Sequence, residues 1–218
     1  MTKDINNHNG NGRQIKSIPT FTGNRRVRQR ETDLHEVIQD LQGFLLRYLD
    51  GNIETEVVMA NQELPVMIDM AQIETALLHL IRNALEAMPS GGRLTIKTGS
   101  AKLNSRLIGE RNNGALSACA FVSISDTGYG MDEQALSKIF EPFYTTKEGI
   151  YRGLGLPIVY HTIKQHNGSI NVETRFGHGT TVKIYLQLVK KIPAYREAIP
   201  LPPAGAYVSL PYREDKYL

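Results

Sequence analysis

Cysteine is almost missing from this chain of 218 residues; Cys119 is the only one. One thiol excludes an internal disulfide and fits a reducing compartment. It sits in the apolar run 118–122, where a buried structural thiol is the plain reading. Long hydrophobic runs are missing too. None approaches the roughly 20 residues a membrane-spanning helix needs, and the N-terminus has no apolar core of a secretion signal. A cytoplasmic chain is the expectation, alone or as the cytoplasmic part of something larger, with no membrane insertion of its own. An excess of one charge is also lacking: 25 basic and 22 acidic residues leave +3. That is too little to indicate nucleic acid. No internal repeat is visible, which excludes a solenoid. What remains is a globular balance of 41% hydrophobic and 22% charged residues, enough for one domain of ordinary size with tails.

The tails are predicted from composition. Residues 1–30 are rich in Asn, Gly and basic side chains, with Arg25, Arg26, Arg28 and Arg30 clustered. They read as a flexible basic segment, a solvated tail or an interaction surface. Residues 191–218 contain Pro193, Pro200, Pro202, Pro203 and Pro211, which prevent regular structure. Between the tails, residues 31–190 alternate helical and strand patterns. Leu34, Val37, Ile38, Leu41, Phe44 and Leu45 recur at helical spacing, with Thr32 or Asp33 as cap and Gly51-Asn52 as the stop. Residues 53–59 and 65–68 read as strands. Residues 71–88 form a long amphipathic helix, stopped by Pro89-Ser90-Gly91-Gly92. Strands at 93–98 and 118–125 flank a polar hairpin at 101–117. A short helix at 132–139, a helix at 156–167 and strands at 169–174 and 180–188 complete the pattern. This order predicts an α/β fold, a two-layer sandwich with helices on one face of a mixed, mostly antiparallel sheet.

Four segments concentrate the chemistry: His79-Leu80-Ile81-Arg82-Asn83-Ala84, Asp126-Thr127-Gly128-Tyr129-Gly130-Met131, Phe140-Glu141-Pro142-Phe143-Tyr144-Thr145-Thr146-Lys147 and Gly153-Leu154-Gly155-Leu156. His79 and Asn83, four apart, share one helix face away from the apolar stripe, with Asn83 at the edge of the core. A side-chain amide there bonds to backbone or serves magnesium, which takes few protein ligands and leaves the rest to water and phosphate. A neutral amide holds free metal weakly, so metal and nucleotide are expected to bind together. Asp126 ends a strand before Gly128 and Gly130, which let backbone approach a flat ligand. Its carboxylate would accept the exocyclic amine of adenine and reject guanine; taken alone, Asp-Thr-Gly is also an ordinary turn. Gly153 and Gly155 open a helix whose free N–H groups suit phosphates. Residues 140–153 form a candidate lid, in which Lys147 or Arg152 meets the terminal phosphate and Phe140, Pro142 and Phe143 seal its base. Thr180 opens the last strand, near the adenine or simply as a β-branched strand residue.

In this order the segments resemble the catalytic, ATP-binding domain of sensor histidine kinases, within the superfamily shared with gyrase, Hsp90 and MutL. The resemblance covers about residues 31–190. The run from Phe140 to Lys147 is especially similar to the nitrogen-regulation type of kinase. It implies a Bergerat-type ATP-binding fold with ATP and Mg2+ as cofactors. It places the metal on Asn83 and catalysis on His79, Asn83 and Lys147. It assigns nucleotide binding to Asn83, Ala87, Asp126, Gly128, Gly130, Met131, Phe140, Thr146, Lys147, Gly153, Leu154, Gly155, Leu156 and Thr180.

Three departures bear on function. Many such kinases have asparagine where this chain has His79, and the family's hydrolases place a glutamate base there, so its absence argues against simple hydrolysis. Ile150-Tyr151-Arg152 stands in the lid where small residues are common. The dimerising helical hairpin with its phosphoacceptor histidine has no counterpart before residue 31. His35-Glu36 lacks the continuation of that motif, and residues 21–30 resemble only the end of the hairpin's second helix. The resemblance therefore implies the catalytic module of a two-component kinase. Its γ-phosphoryl would go to a histidine on a separate hairpin domain or chain, and through that to a response regulator. A non-catalytic ATP-binding module and a serine kinase of a regulatory partner are the alternatives.

Overall fold

Strands form where every second side chain is apolar, and the central pair shows this most clearly. The computed structural model describes residues 2–4, 27–48, 52–104, 116–145 and 153–189. In β5 (Gly92–Asn104) Leu94 and Ile96 are buried, and in β6 (Leu116–Asp126) Ala120, Val122 and Ile124 are. The two run antiparallel with Ile96 opposite Ile124 and Leu94 opposite Asp126. β6 also pairs with β8 (Thr180–Gln187), Val122 opposite Ile184 and Ser125 opposite Thr181. One register thus brings Asp126 and Thr180 to the same end of the sheet.

Around this centre the six-stranded sheet has the order β1-β7-β8-β6-β5-β3. β7 (Ser169–Thr174) continues the antiparallel run, and β3 (Ile53–Val58) joins β5 in parallel. The sheet is mixed and mostly antiparallel. Helices α1 (Leu34–Tyr48), α2 (Met70–Glu86) and α4 (Gly155–Gln165) share one apolar core with its inner side chains. Burying a leucine or isoleucine contributes about 1.5–3 kcal/mol each. α3 (Glu133–Lys138) is a short helix capped by Asp132, whose Oδ1 accepts from the Ala135 N–H at 2.7 Å.

α2 carries one half of the site. Its buried residues Ile73, Ala76, Leu77, Leu80, Ile81 and Ala84 are spaced by three and four, so the helix lies with this stripe on the sheet. His79, Arg82, Asn83 and Glu86 fall on the neighbouring stripe. Asp69 caps the helix, its Oδ1 accepting from the Gln72 N–H at 3.4 Å.

The N-terminal part differs from its expectation. Residues 30–33 form β2 (Arg30–Asp33), paired with β4 (Pro65–Ile68) in a small second sheet; only Arg30 of these was expected in a helix end, and Thr32 or Asp33 was expected to cap the next helix. Thr32 is buried opposite Val66, so it serves pairing and not capping. Asp33 takes the start of α1, its Oδ1 accepting from the N–H groups of His35 and Leu64. β1 (Thr2–Asp4) adds a short strand along β7, inside the stretch expected to be an unstructured tail. β5 and β6 also run further than their apolar cores, carrying strand pairing out to Asn104 and Leu116. His35 is half-buried, its Nε2 hydrogen-bonded to Thr98 Oγ1 at 3.0 Å, which is a structural role. The expectations for residues 5–26 and 190–218 fall outside the described residues. Among the described residues no helix is long and apolar enough to cross a membrane.

Candidate functional site

The end of β6 is held by its own side chain. Asp126 Oδ1 accepts from the N–H of Gly128 at 2.9 Å and from the N–H of Thr180 at 3.2 Å. One carboxylate therefore shapes the turn that follows it and ties that turn to the start of β8. The Thr127 hydroxyl accepts from the Arg93 N–H at 3.0 Å, and the Tyr129 N–H donates to the Ala87 carbonyl at 3.2 Å. Gly128 lies so close to the Ala87 carbonyl that no Cβ fits between them. Gly130 has φ +63, and its missing side chain leaves room for the Arg175 carbonyl. Both glycines are needed for the close stacking of this turn on α2 and on the β7–β8 turn.

Thr174 completes the wall. Its Oγ1 accepts from the Met131 N–H at 2.9 Å and donates to the Gly179 carbonyl at 3.1 Å. A hydroxyl has one proton to give, so Thr180 Oγ1, 3.1 Å away, is the donor in their contact.

Opposite stands α4. It begins at Gly155, where no side chain of the described residues caps it, so the N–H groups of its first turn suit another acceptor. A Cβ on Gly155 would lie 3.8 Å from His79 Nδ1 and 3.9 Å from Asn83 Oδ1. The glycine turn thus meets the polar stripe of α2 directly. Among the described residues the side chains of His79 and Asn83 make no hydrogen bond. Burial first, then the Arg82 charge, lowers the His79 imidazole below its ordinary pKa. Both effects favour the neutral ring.

Between these walls is a cleft of about 530 Å3. His79, Asn83, Ala87, Asp126, Gly130, Met131, Gly153, Leu154, Gly155, Leu156 and Thr180 all border it, so most of the residues singled out in the sequence come together. Gly128 is buried behind the wall instead. Phe140 is also set back, its ring 5.2 Å from that of Tyr160, and supports the cleft by packing on the core. Phe143 was expected to seal the lid base with Pro142. Pro142 is half-buried, but Phe143 has φ +66 and is 68% exposed, turned outward by the hydrogen bond from its N–H to the Gly153 carbonyl. Thr146, Lys147 and Arg152 lie outside the described residues.

Among the bordering residues given no role from the sequence are Arg82, Glu86 and Tyr129. Arg82 and Glu86 pair at 3.5 Å. Helical spacing from His79 and Asn83 points to Arg82 and Glu86, one and two turns along the same stripe. Burial, then the carboxylates of Glu86 and Asp126, raises the Tyr129 phenol above its ordinary pKa.

The comparisons with known proteins agree with this geometry. The family described as histidine kinase-, DNA gyrase B- and HSP90-like ATPase matches residues 68–190, more than half of the chain. Sensor kinase CckA of Brucella abortus is 36% identical over 179 residues, which are 79% of this chain and 18% of that protein. The sensory histidine kinase/phosphatase NtrB of Vibrio alginolyticus is 30% identical over 162 residues, 73% of this chain and 44% of that protein. The chain spans less than half the length of either curated relative. The nucleotide-free catalytic domain of histidine kinase ThkA superposes with a TM-score of 0.60 at 26% identity, covering 74% of this chain and 96% of that domain. With α2, the Asp126 turn and the Gly153–Gly155 turn enclosing one cleft inside the matched region, the chain belongs to the histidine kinase-, DNA gyrase B- and HSP90-like ATPase family, whose domain binds ATP.

Proposed function

We propose that the chain is the catalytic module of a two-component histidine kinase, which binds Mg·ATP and passes the γ-phosphoryl to a histidine on a separate helical hairpin. The observation that carries this is the convergence of Gly155, His79 and Asn83 at one end of a cleft whose other end holds Asp126. Adenine lies at the Asp126 end, its exocyclic amine donating to the carboxylate. The triphosphate runs toward the uncapped start of α4. Leu154 and Leu156 anchor that turn, and Thr180 and Met131 border the base.

The residues present fit magnesium held mainly by the nucleotide. Asn83 offers one hard oxygen with no protein partner among the described residues, and these contain no cluster of three His, Cys, Asp or Glu ligands. Magnesium, when bound with the phosphates, neutralises charge that builds on their oxygens. The chain's own part is positioning. An acceptor imidazole attacks phosphorus with its lone pair, the bond to the bridging oxygen breaks, and ADP leaves. His79, on the cleft wall with no hydrogen-bond partner among the described residues, is placed to take the proton that the phosphorylated ring sheds. The resemblance assigns the terminal phosphate to a cation of the segment after Thr145, Lys147 or Arg152. The acceptor hairpin, a response regulator beyond it and a cytoplasmic setting complete this reading.

The test is transfer of label from γ-labelled ATP to a separately purified hairpin carrying a histidine. Acid-labile, base-stable label on the hairpin is expected, and Asn83→Ala abolishes it. Acid-stable label would point to a serine instead. ATP binding with no transfer to any histidine hairpin would leave a non-catalytic module.

A further inference from the structure

The cleft occupies one end of the α2–α4 pair, and the other end carries a contact that the chemistry above does not use. His166, the C-cap of α4, is 4% exposed. Its Nε2 accepts from the Asp69 N–H at 3.0 Å, and its Nδ1 donates to the Thr162 carbonyl at 2.7 Å. A backbone N–H only donates and a carbonyl only accepts, so both roles are assigned by chemistry. Only a neutral ring satisfies them together.

Asp69 is the N-cap of α2. Its Oδ2 accepts from the Arg28 N–H at 3.0 Å, while Gln29 Nε2 donates to the Gln165 carbonyl at 3.2 Å. The segment leading into the domain, the start of the helix that carries His79 and Asn83, and the end of the helix that starts at Gly155 therefore meet in one knot.

The geometry points to His166 as a positioning residue that sets α4 against α2, fixes the approach of Gly155 to Asn83, and couples both to the segment around Arg28. Adding a proton to the ring places an N–H against the Asp69 N–H, two donors face to face. The ring regains a partner only by turning to the Asp69 carboxylate, which withdraws that group from Gln72 or Arg28. Charged groups of the elements meeting here include Asp69 at the cap of α2 and Glu74 within it, Arg28, Arg30 and Glu31 on the leading segment, and Lys164 on α4 itself. The end of β8 and the two residues after it contribute the uncharged Leu186, Gln187, Leu188 and Val189. A groove of about 350 Å3 bordered by His166, Gln29 and Met67 gives solvent a route to the ring. The effect on nucleotide affinity rests on the proposed function; the knot itself does not.

The experiment compares the full chain with His166→Gln and His166→Ala. Glutamine places an acceptor oxygen where Nε2 stands and takes up no proton. Protection of the Asp69 and Arg28 amides against hydrogen exchange is measured without nucleotide. Mg·ATP affinity is measured by calorimetry at the same neutral pH. His166→Gln is expected to keep the protection and affinity of the unaltered chain, whereas His166→Ala loses protection at both amides and binds at least about threefold more weakly, the size of one lost hydrogen bond. If His166→Ala does not fold, His166→Asn, whose shorter side chain cannot reach both partners, replaces it. Protection and affinity in the alanine or asparagine variant equal to those of the unaltered chain overturn the proposal. Absence of any nucleotide binding overturns the kinase reading, while the exchange result still decides on His166.

Discussion

Asp126 does two jobs with one carboxylate, and a conservative change separates them. Asparagine keeps an acceptor for the N–H groups of Gly128 and Thr180, so the turn stays folded. It loses the charge that strengthens a bond from adenine, a difference of about 1–1.5 kcal/mol. Asp126→Asn is expected to weaken ATP binding by roughly five- to tenfold, with the melting temperature little changed. Calorimetry showing unchanged affinity would remove the adenine assignment. His79 gives a second, independent expectation. Its pKa is lowered by burial and then by Arg82, so the unfolded chain binds the proton more readily than the native cleft. Stability contributed at this position is absent below the depressed native value, rises with pH, and is complete above the ordinary imidazole value. The half-buried ring makes the effect small. Urea midpoints measured from mildly acidic to neutral pH are expected to climb more steeply for the unaltered chain than for His79→Asn. Identical slopes would show that the cleft does not perturb the ring.

At the scale of elements, legibility followed side-chain periodicity. α2 was readable because Ile73, Ala76, Leu77, Leu80 and Ile81 mark one face so strongly that the site-bearing face follows from it. The same spacing points to Arg82 and Glu86 at the cleft. β2 and β1 were not readable: four and three residues are too few to show alternation, and their pairing with β4 and β7 is decided by tertiary contact. Phe143 was misjudged because aromatic character suggested burial, whereas the Gly153 backbone turns the residue outward. The glycines of the Asp126 turn were readable by type, but the close approach each permits was not. Gly130→Ala tests that approach. A methyl there meets the Arg175 carbonyl and requires φ +63 of a non-glycine residue. The expected cost is about 1–3 kcal/mol of stability together with weaker ATP binding. Gly43 in α1 is the control, since nothing lies within 4 Å of its added methyl and alanine is expected to stabilise by about 0.5–1 kcal/mol. A Gly130→Ala protein as stable as the Gly43→Ala one would refute the stacked turn.

For the whole molecule, the order of segments mattered more than any one of them. Helix, Asp126 turn and glycine turn are far apart in the chain, and only the antiparallel run β5-β6-β8-β7 with α2 and α4 on one face brings them to one cleft. That closure makes ligand binding a property of the entire fold, so binding must appear as stability. A ligand at about 100 times its dissociation constant stabilises the native state by about 2.7 kcal/mol. For a folded unit of roughly 150 residues or more, this raises the melting temperature by about 5–10 °C. ATP with magnesium is expected to give the full shift in a thermal melt. Chelating the metal should reduce it, because Asn83 supplies a single oxygen and the phosphates reach the rest of their charge neutralisation through the ion. GTP should give much less, because its base presents a carbonyl where Asp126 requires a donor. Equal shifts from ATP and GTP would leave the cleft as a nucleotide site but detach Asp126 from base selection. No shift from either would show that these walls do not enclose a nucleotide at all.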